Sequence, residues 1–377
     1  MKKFRNILTA ILFLAFTLAF LTATIIRKKG TVSYQENRLL QSKPSVCTGA
    51  FINGEYVNQL SGYIADHFAG RSRWMNAKSF IETNVGERIV NDVYIADNML
   101  LGIDWGEQAE TAQFADTINK FSETCEGSVF FAAIPSSSGV YDDLLPEYMN
   151  IGSEKTQIDG LYSSLDSSVK KIDAYSILRM LNDNYIYYRN DSKWTSYGAY
   201  CVYRTVIQKL GFSPIPYDKY TIEHVTGDFR GNLYNKSQYS SIKADMLDIY
   251  EYSGGTEITS CVAIDNNGNI RERGLYSKSS INTNDMYRLY LGEPAPIINI
   301  KTNLGNGRRL LVIKDDFANC FISFLTQHYS EICVVSPDQL DKNLGEFIDV
   351  NDYEQTLFLF GIGNISDDLC FEKILPQ

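Results

Sequence analysis

Two short segments place charged side chains between an apolar, strand-like run and a helix-like one, the position at which open α/β sheets build their sites. The first reads Asp191-Ser192-Lys193-Trp194-Thr195 and leads into Ser196-Tyr197-Gly198-Ala199-Tyr200; the second reads Lys314-Asp315-Asp316-Phe317-Ala318-Asn319. Carboxylates and lysines so placed can pair with one another or grip a polar ligand, but they do not make an acyl-transfer set. That chemistry needs a hydroxyl, a neutral base titrating near about 6.5, and a carboxylate to orient the base. Lysine titrates near about 10.4, and neighbouring carboxylates hold it charged more firmly still. A carboxylate only accepts hydrogen bonds and repels a developing oxyanion.

Other candidate groups carry less. Pro135-Ser136-Ser137-Ser138-Gly139 follows the apolar run 129–134 and approaches the Gly-x-Ser-x-Gly nucleophile elbow, but proline at its head restricts the tight backbone turn that the elbow needs. Ser137 is therefore read as a residue of an ordinary strand-end turn. Asp315-Asp316 lacks the Asp-x-Asp spacing usual in phospho-acceptor and metal sites, so ion pairing is the expected role there. His67, His224 and His328 have no metal-ligand spacing, and neither a metal nor a cofactor is expected. His328 reads as a cation at a helix C-terminus and His67 as a surface or interface residue.

The elements that must position these groups follow from hydrophobic periodicity. Runs at 93–95, 129–134, 186–188, 310–313, 332–335 and 356–360 predict buried strands, and 112–124, 157–169, 196–210 and 318–329 predict helices. Alternation of the two predicts an α/β fold, a mostly parallel sheet flanked by helices. The Tyr-, Ser-, Gly- and Asn-rich stretch at about 217–292 breaks the alternation and is expected to be an insertion or edge subregion. Residues 51–90 show helical spacing, and 30–45 is a polar stalk holding Pro44.

Residues 7–26 contain no charge and are long enough to cross a bilayer as one helix. The run exceeds a usual signal-peptide core and lacks a clean small-x-small cleavage site, so an uncleaved anchor is expected. Basic residues flank it almost evenly, Lys2, Lys3 and Arg5 against Arg27, Lys28 and Lys29; the free amino terminus tips the balance towards a domain outside the cytoplasm. The expected organisation is a tail at 1–6, the anchor at 7–26, a stalk and leading helices at 27–90, and an α/β domain at 91–377.

The 377-residue chain is 44% hydrophobic, enough for one sizeable core. Its net charge is -10 although the first thirty residues carry only basic groups, so the remainder is more acidic still. Without a cationic stripe, nucleic-acid binding is excluded. The seven cysteines, Cys47 and Cys370 among them, are scattered without Cys-x-x-Cys spacing and read as small buried hydrophobes. The 25 tyrosines include pairs such as Tyr287 and Tyr290 that could stack on sugar rings, though core packing is the commoner use.

Taken together, Glu36-Asn37-Arg38, Asp66-His67-Phe68-Ala69-Gly70-Arg71, Asn91-Asp92-Val93-Tyr94-Ile95, Leu144-Leu145-Pro146, the Asp191–Tyr200 segment and Ile313–Asn319 resemble the DHHW proteins. That family stands with the alginate O-acetylation proteins among SGNH-hydrolase-like enzymes. The resemblance implies that the first elbow reads Asp-x-His-Trp and supplies the acid and base of a Ser-His-Asp triad, while the second reads Lys-Asp-Ser and supplies the nucleophile. Here Lys193 stands where the imidazole belongs and Asp316 where the hydroxyl belongs; Asp191 alone keeps its identity. If the elbows meet, Asp191, Lys193 and Asp316 form a compensating carboxylate–ammonium–carboxylate cluster, with Trp194, Asn319 and Asp315 as the expected substrate-contacting neighbours. The implied function is a degenerate O-acetyltransferase or esterase, membrane-anchored, that binds cell-envelope polysaccharide or assembles with acetylation machinery. The alternative is an active acyltransferase whose nucleophile has moved, for instance to Ser137 or Ser192.

Overall fold

The structure, a computed structural model, describes residues 2–27, 29–33, 38–44, 55–103, 111–149, 153–365 and 371–375. Lys28, the Glu36-Asn37 pair, Cys47 and Cys370 lie outside the described residues. The chain divides into two compact units, residues 1–91 with 235–240, and residues 92–234 with 241–377.

Among the described residues the first unit holds three helices, α1 (Lys2–Ile26), α2 (Glu55–His67) and α3 (Arg71–Asn84). Within α1, Phe4–Ile26 is long and apolar enough to cross a membrane, and its central residues are not buried against protein. His67 is buried rather than at the surface, its ring nitrogens 2.9 Å from the Tyr63 carbonyl and 3.1 Å from that of Gly30.

The second unit opens with a hairpin of β1 (Val93–Ile95) and β2 (Leu100–Gly102). Then come α4 (Thr111–Thr124), β3 (Ser128–Ile134), α5 (Glu154–Ser164), β4 (Lys170–Lys171), α6 (Ala174–Met180) and α7 (Ser196–Lys209). A long hairpin follows, β5 (Tyr220–Phe229) with β6 (Asp245–Tyr252). The remaining strands are β7 (Ile258–Ile264), β8 (Ile270–Glu272), β9 (Ile297–Thr302), β10 (Arg309–Lys314), β11 (Glu331–Val335) and β12 (Gln355–Gly361).

An eight-stranded sheet runs in the order β8-β7-β9-β11-β10-β12-β3-β4. Its pairs from β11 through β10, β12 and β3 to β4 are parallel, and its pairs from β8 to β11 are antiparallel. The sheet is thus mixed rather than mostly parallel, because β7 to β9, drawn partly from the stretch read as an insertion, extend it at one side. Parallel strands are apolar throughout because both faces are covered: Leu310 and Val312 face one core cluster, Leu311 and Ile313 the other.

Two sequence expectations differ locally. Residues 186–188 form no ladder, only an isolated bridge between Tyr187 and Trp194. The helix expected over 318–329 is a 3-10 turn, Asp316–Cys320, and a four-residue α-helical turn, Ile322–Leu325. His328 beyond it is buried, 2.7 Å from the Tyr203 hydroxyl, and burial pulls its pKa down to about 4. It is therefore a neutral core imidazole near pH 7 and not a helix-terminal cation.

Candidate functional site

Strand β10 ends at Lys314, beside the carboxyl ends of its parallel neighbours, and its chain turns at Asp315. The Asp315 carboxylate caps the turn by accepting the Phe317 N–H at 3.0 Å, and takes the Gly361 N–H and the Asn364 amide, both at 2.8 Å. Such caps satisfy backbone donors that would otherwise be orphaned. The first elbow folds back through Tyr187 and Trp194, and Thr195 caps α7 by accepting the Gly198 N–H at 3.1 Å. Glycine is needed there, since a Cβ on Gly198 would lie 2.3 Å from the Ile186 carbonyl oxygen. The buried Asp245 fixes the elbow from β6, accepting the Asn190 backbone N–H at 2.9 Å and its side-chain amide at 2.7 Å.

The two elbows meet. The Trp194 indole N–H donates to the Phe317 carbonyl at 2.8 Å, and its ring stacks on Phe321. Lys193 Nζ lies 3.5 Å from Asp191 Oδ1 and 3.1 Å from Asp316 Oδ2. It also sits 5.2 Å from the centroid of the Tyr287 ring, a favourable face for a cation. Asp191 accepts the Lys193 N–H at 3.0 Å and the Asn232 N–H at 2.9 Å, and a Cβ on Gly231 would lie 2.3 Å from its Oδ2.

The electrostatics follow from burial and pairing. Burial works against the charge of Lys193, but Asp191 and Asp316 outweigh it and hold the ammonium above the ordinary lysine range. Burial pushes the Asp191 carboxyl up, opposed by Lys193 and the two backbone donors. Asp315 is pushed up to about 7 by burial and by the charge of Asp316 next to it. Asp316 is not enclosed: its side chain is 48% exposed, against 8% for Lys193 and 3% for Asp191. The cluster is therefore a buried ion pair with an outer, wetted carboxylate.

The expected neighbours are placed unevenly. Trp194 has no exposed surface, so it locks the elbows together and offers no face to a ligand. Asp315 spends both oxygens on internal donors, and half-buried Asn319 accepts from Lys314 Nζ at 2.6 Å. Ser137 Oγ is sealed and without a partner, and Ser192 Oγ accepts the Asn232 amide at 3.1 Å. The third imidazole, His224, is on the surface against Asp248. No histidine makes a hydrogen bond to a serine among the described residues. Gly231, Asn232 and Asp245 were missed from sequence, since all three fall in the stretch read as an insertion, and Tyr287 was singled out there as a possible sugar-stacking ring and not as a neighbour of Lys193; the unusual run of polar and aromatic residues was the available signal.

The DHHW protein family matches residues 109–335, more than half of the chain. No curated protein matches it. Among solved structures, a DHHW family protein from Eubacterium siraeum is similar at 22% identity over 77% of this chain and 97% of that one, with a TM-score of 0.65. Bacillus cereus PatB1, in a structure with a sulfonyl adduct, is similar at 20% identity over 74% of this chain and 98% of that one, TM-score 0.62. The O-acetyltransferase domain of Pseudomonas putida AlgJ is a remoter likeness, 11% identical over 72% of this chain and 91% of that one, TM-score 0.43. The first two share the fold, and the match over both elbows and the strands between them identifies this chain as a member of the DHHW family.

Proposed function

We propose that the chain is a membrane-anchored, SGNH-hydrolase-like DHHW protein with its α/β domain, residues 91–377, outside the cytoplasm, and that it has lost acyl-transfer chemistry. It acts as a binding or assembly partner in cell-envelope polysaccharide biology. One observation carries the reading: at the meeting point of the elbows an ammonium sits 3.5 Å and 3.1 Å from two carboxylates, where the family pattern calls for an imidazole and a hydroxyl. A lysine held charged cannot take a proton from a nucleophile, and Asp316 repels the oxyanion that acyl transfer must stabilise. The anchor reading is supported by the unburied apolar span Phe4–Ile26 with basic residues beyond both ends.

The test is covalent labelling of the full chain with a sulfonyl fluoride or a fluorophosphonate, alongside turnover of an activated acetyl ester. Neither an adduct nor turnover above buffer is expected. A labelled serine would instead establish a displaced nucleophile. Retention of the unlabelled chain by cell-wall polysaccharide would separate a binding role from a purely structural one.

A further inference from the structure

The first unit contains a helix whose packing is inside out. α3 buries Ser79, yet Trp74, Phe80 and Ile81 on the same helix are 53%, 65% and 61% exposed, and Val85 just past its end is 74% exposed. Trp74, Ala77, Ile81 and Val85 recur at helical spacing and form one apolar stripe, with Lys78 at one edge and with Arg73 between its other edge and Phe80. A water-facing helix carries the opposite pattern.

Contacts at the start of α3 place it beside the end of α1. The turn between α2 and α3 packs on the last turns of α1: the Ala69 N–H donates to Thr24 Oγ1 at 3.0 Å, and the Phe68 ring lies 6.2 Å from that of Phe20. Arg27 and Lys29, just past the span, donate to the Phe68 and His67 carbonyls at 3.5 Å and 3.4 Å. Phe20 lies six residues inside the end of α1, about 9 Å at 1.5 Å per residue. The turn thus meets α1 within its membrane-spanning length, and α3 starts at the level where hydrocarbon gives way to headgroups. A tryptophan and basic residues suit that level, as do exposed apolar side chains with cations beside them.

We propose that α3 lies in the interfacial layer of the same bilayer that α1 crosses, with Trp74, Ala77, Phe80, Ile81 and Val85 turned to the acyl chains and Arg73 and Lys78 at the lipid phosphates. This rests on the anchor reading above. It makes α3 a second attachment that fixes how the chain leaves the membrane surface.

The full chain is assembled into nanodiscs of phosphatidylcholine and phosphatidylglycerol, with and without acyl chains brominated near the headgroup. Bromolipid is expected to quench tryptophan emission, and Trp74→Phe to reduce that quenching by about twofold or more. The variant Phe80→Ser with Ile81→Asp, which keeps Trp74, is expected to lower the quenching in the same direction. Equal quenching in the parent chain and Trp74→Phe overturns the proposal, including the case in which a second copy covers the stripe. Failure of the chain to co-purify with the discs overturns the anchor itself, and the proposal with it; co-purification without a Trp74 component overturns the interfacial helix alone.

Discussion

In the elbow through Asp191, a buried carboxylate and a buried lysine face one another; in the elbow through Asp315, an equally buried carboxylate and lysine turn away. Lys193 Nζ reaches Asp191 and Asp316, and its proton affinity rises. Lys314 Nζ reaches only the neutral Asn319 among its hydrogen-bond partners, and burial drives its pKa down. Asp191 leans on an ammonium and two backbone donors, while Asp315 takes three N–H groups and sits beside another acid. Backbone donors suffice to house a buried carboxyl group; whether a buried lysine keeps its charge is decided by a carboxylate at ion-pair distance.

That contrast can be broken most directly at Lys193. Lys193→Met removes the only partner of Asp191 that carries a charge in this cluster, and loss of about 3–5 kcal/mol of stability is expected from equilibrium urea unfolding. A loss below about 1 kcal/mol would mean that the carboxyl is already neutral.

The next effect is expected at Asp315, and it shows as a slope against pH. Its folded pKa is raised from 3.8 to about 7, so between those values the folded state holds a proton that the unfolded chain has released. This group therefore stabilises the fold at low pH and loses that contribution as pH rises from about 4 through about 7, on the order of 4 kcal/mol across the window. Asp315→Asn should remove that downward component, read as the difference between two unfolding profiles from pH 4 to 8; parallel profiles would show that Asp315 is charged throughout. The difference must be taken because His328, with its lowered pKa, contributes the opposite slope below about 6.5.

Lys314→Met sharpens the comparison from the other side. A lysine without a close carboxylate has little Coulombic stabilisation to lose, and a change within about 1 kcal/mol is expected. A loss as large as that of Lys193→Met would show that both lysines depend on charge pairing.

Much of this architecture was legible because local chemistry and burial agree. The runs at 129–134, 310–313, 332–335 and 356–360 are continuous apolar segments and became strands covered on both faces. The segment 196–210 has apolar spacing and became α7, capped by Thr195. The juxtaposition of Asp191, Lys193 and Asp316 was foreseeable only through the family resemblance, since nothing local links residues so far apart in the chain. The sheet's antiparallel half was hidden because β7 is mostly half-exposed and owes its place to pairing with β9, a long-range contact that periodicity does not register. Residues 186–188 looked like a strand because Tyr187 and Tyr188 are buried, but what buries them is tertiary packing beside a tight turn. The 3-10 turn at 316–320 was misread for the opposite reason: its buried residues mimic helical spacing, while its end is set by core contacts of Phe317 and Phe321.

Gly231 has a consequence for anyone seeking to install new chemistry at the elbows. Because the oxygen of Asp191 rests where any larger residue would put its first carbon, that acid is wedged between the backbone and two amide hydrogens and has nowhere to swing. One member of the Asp191, Lys193 and Asp316 cluster is thus already immobilised, and a designer's freedom lies wholly at positions 193 and 316.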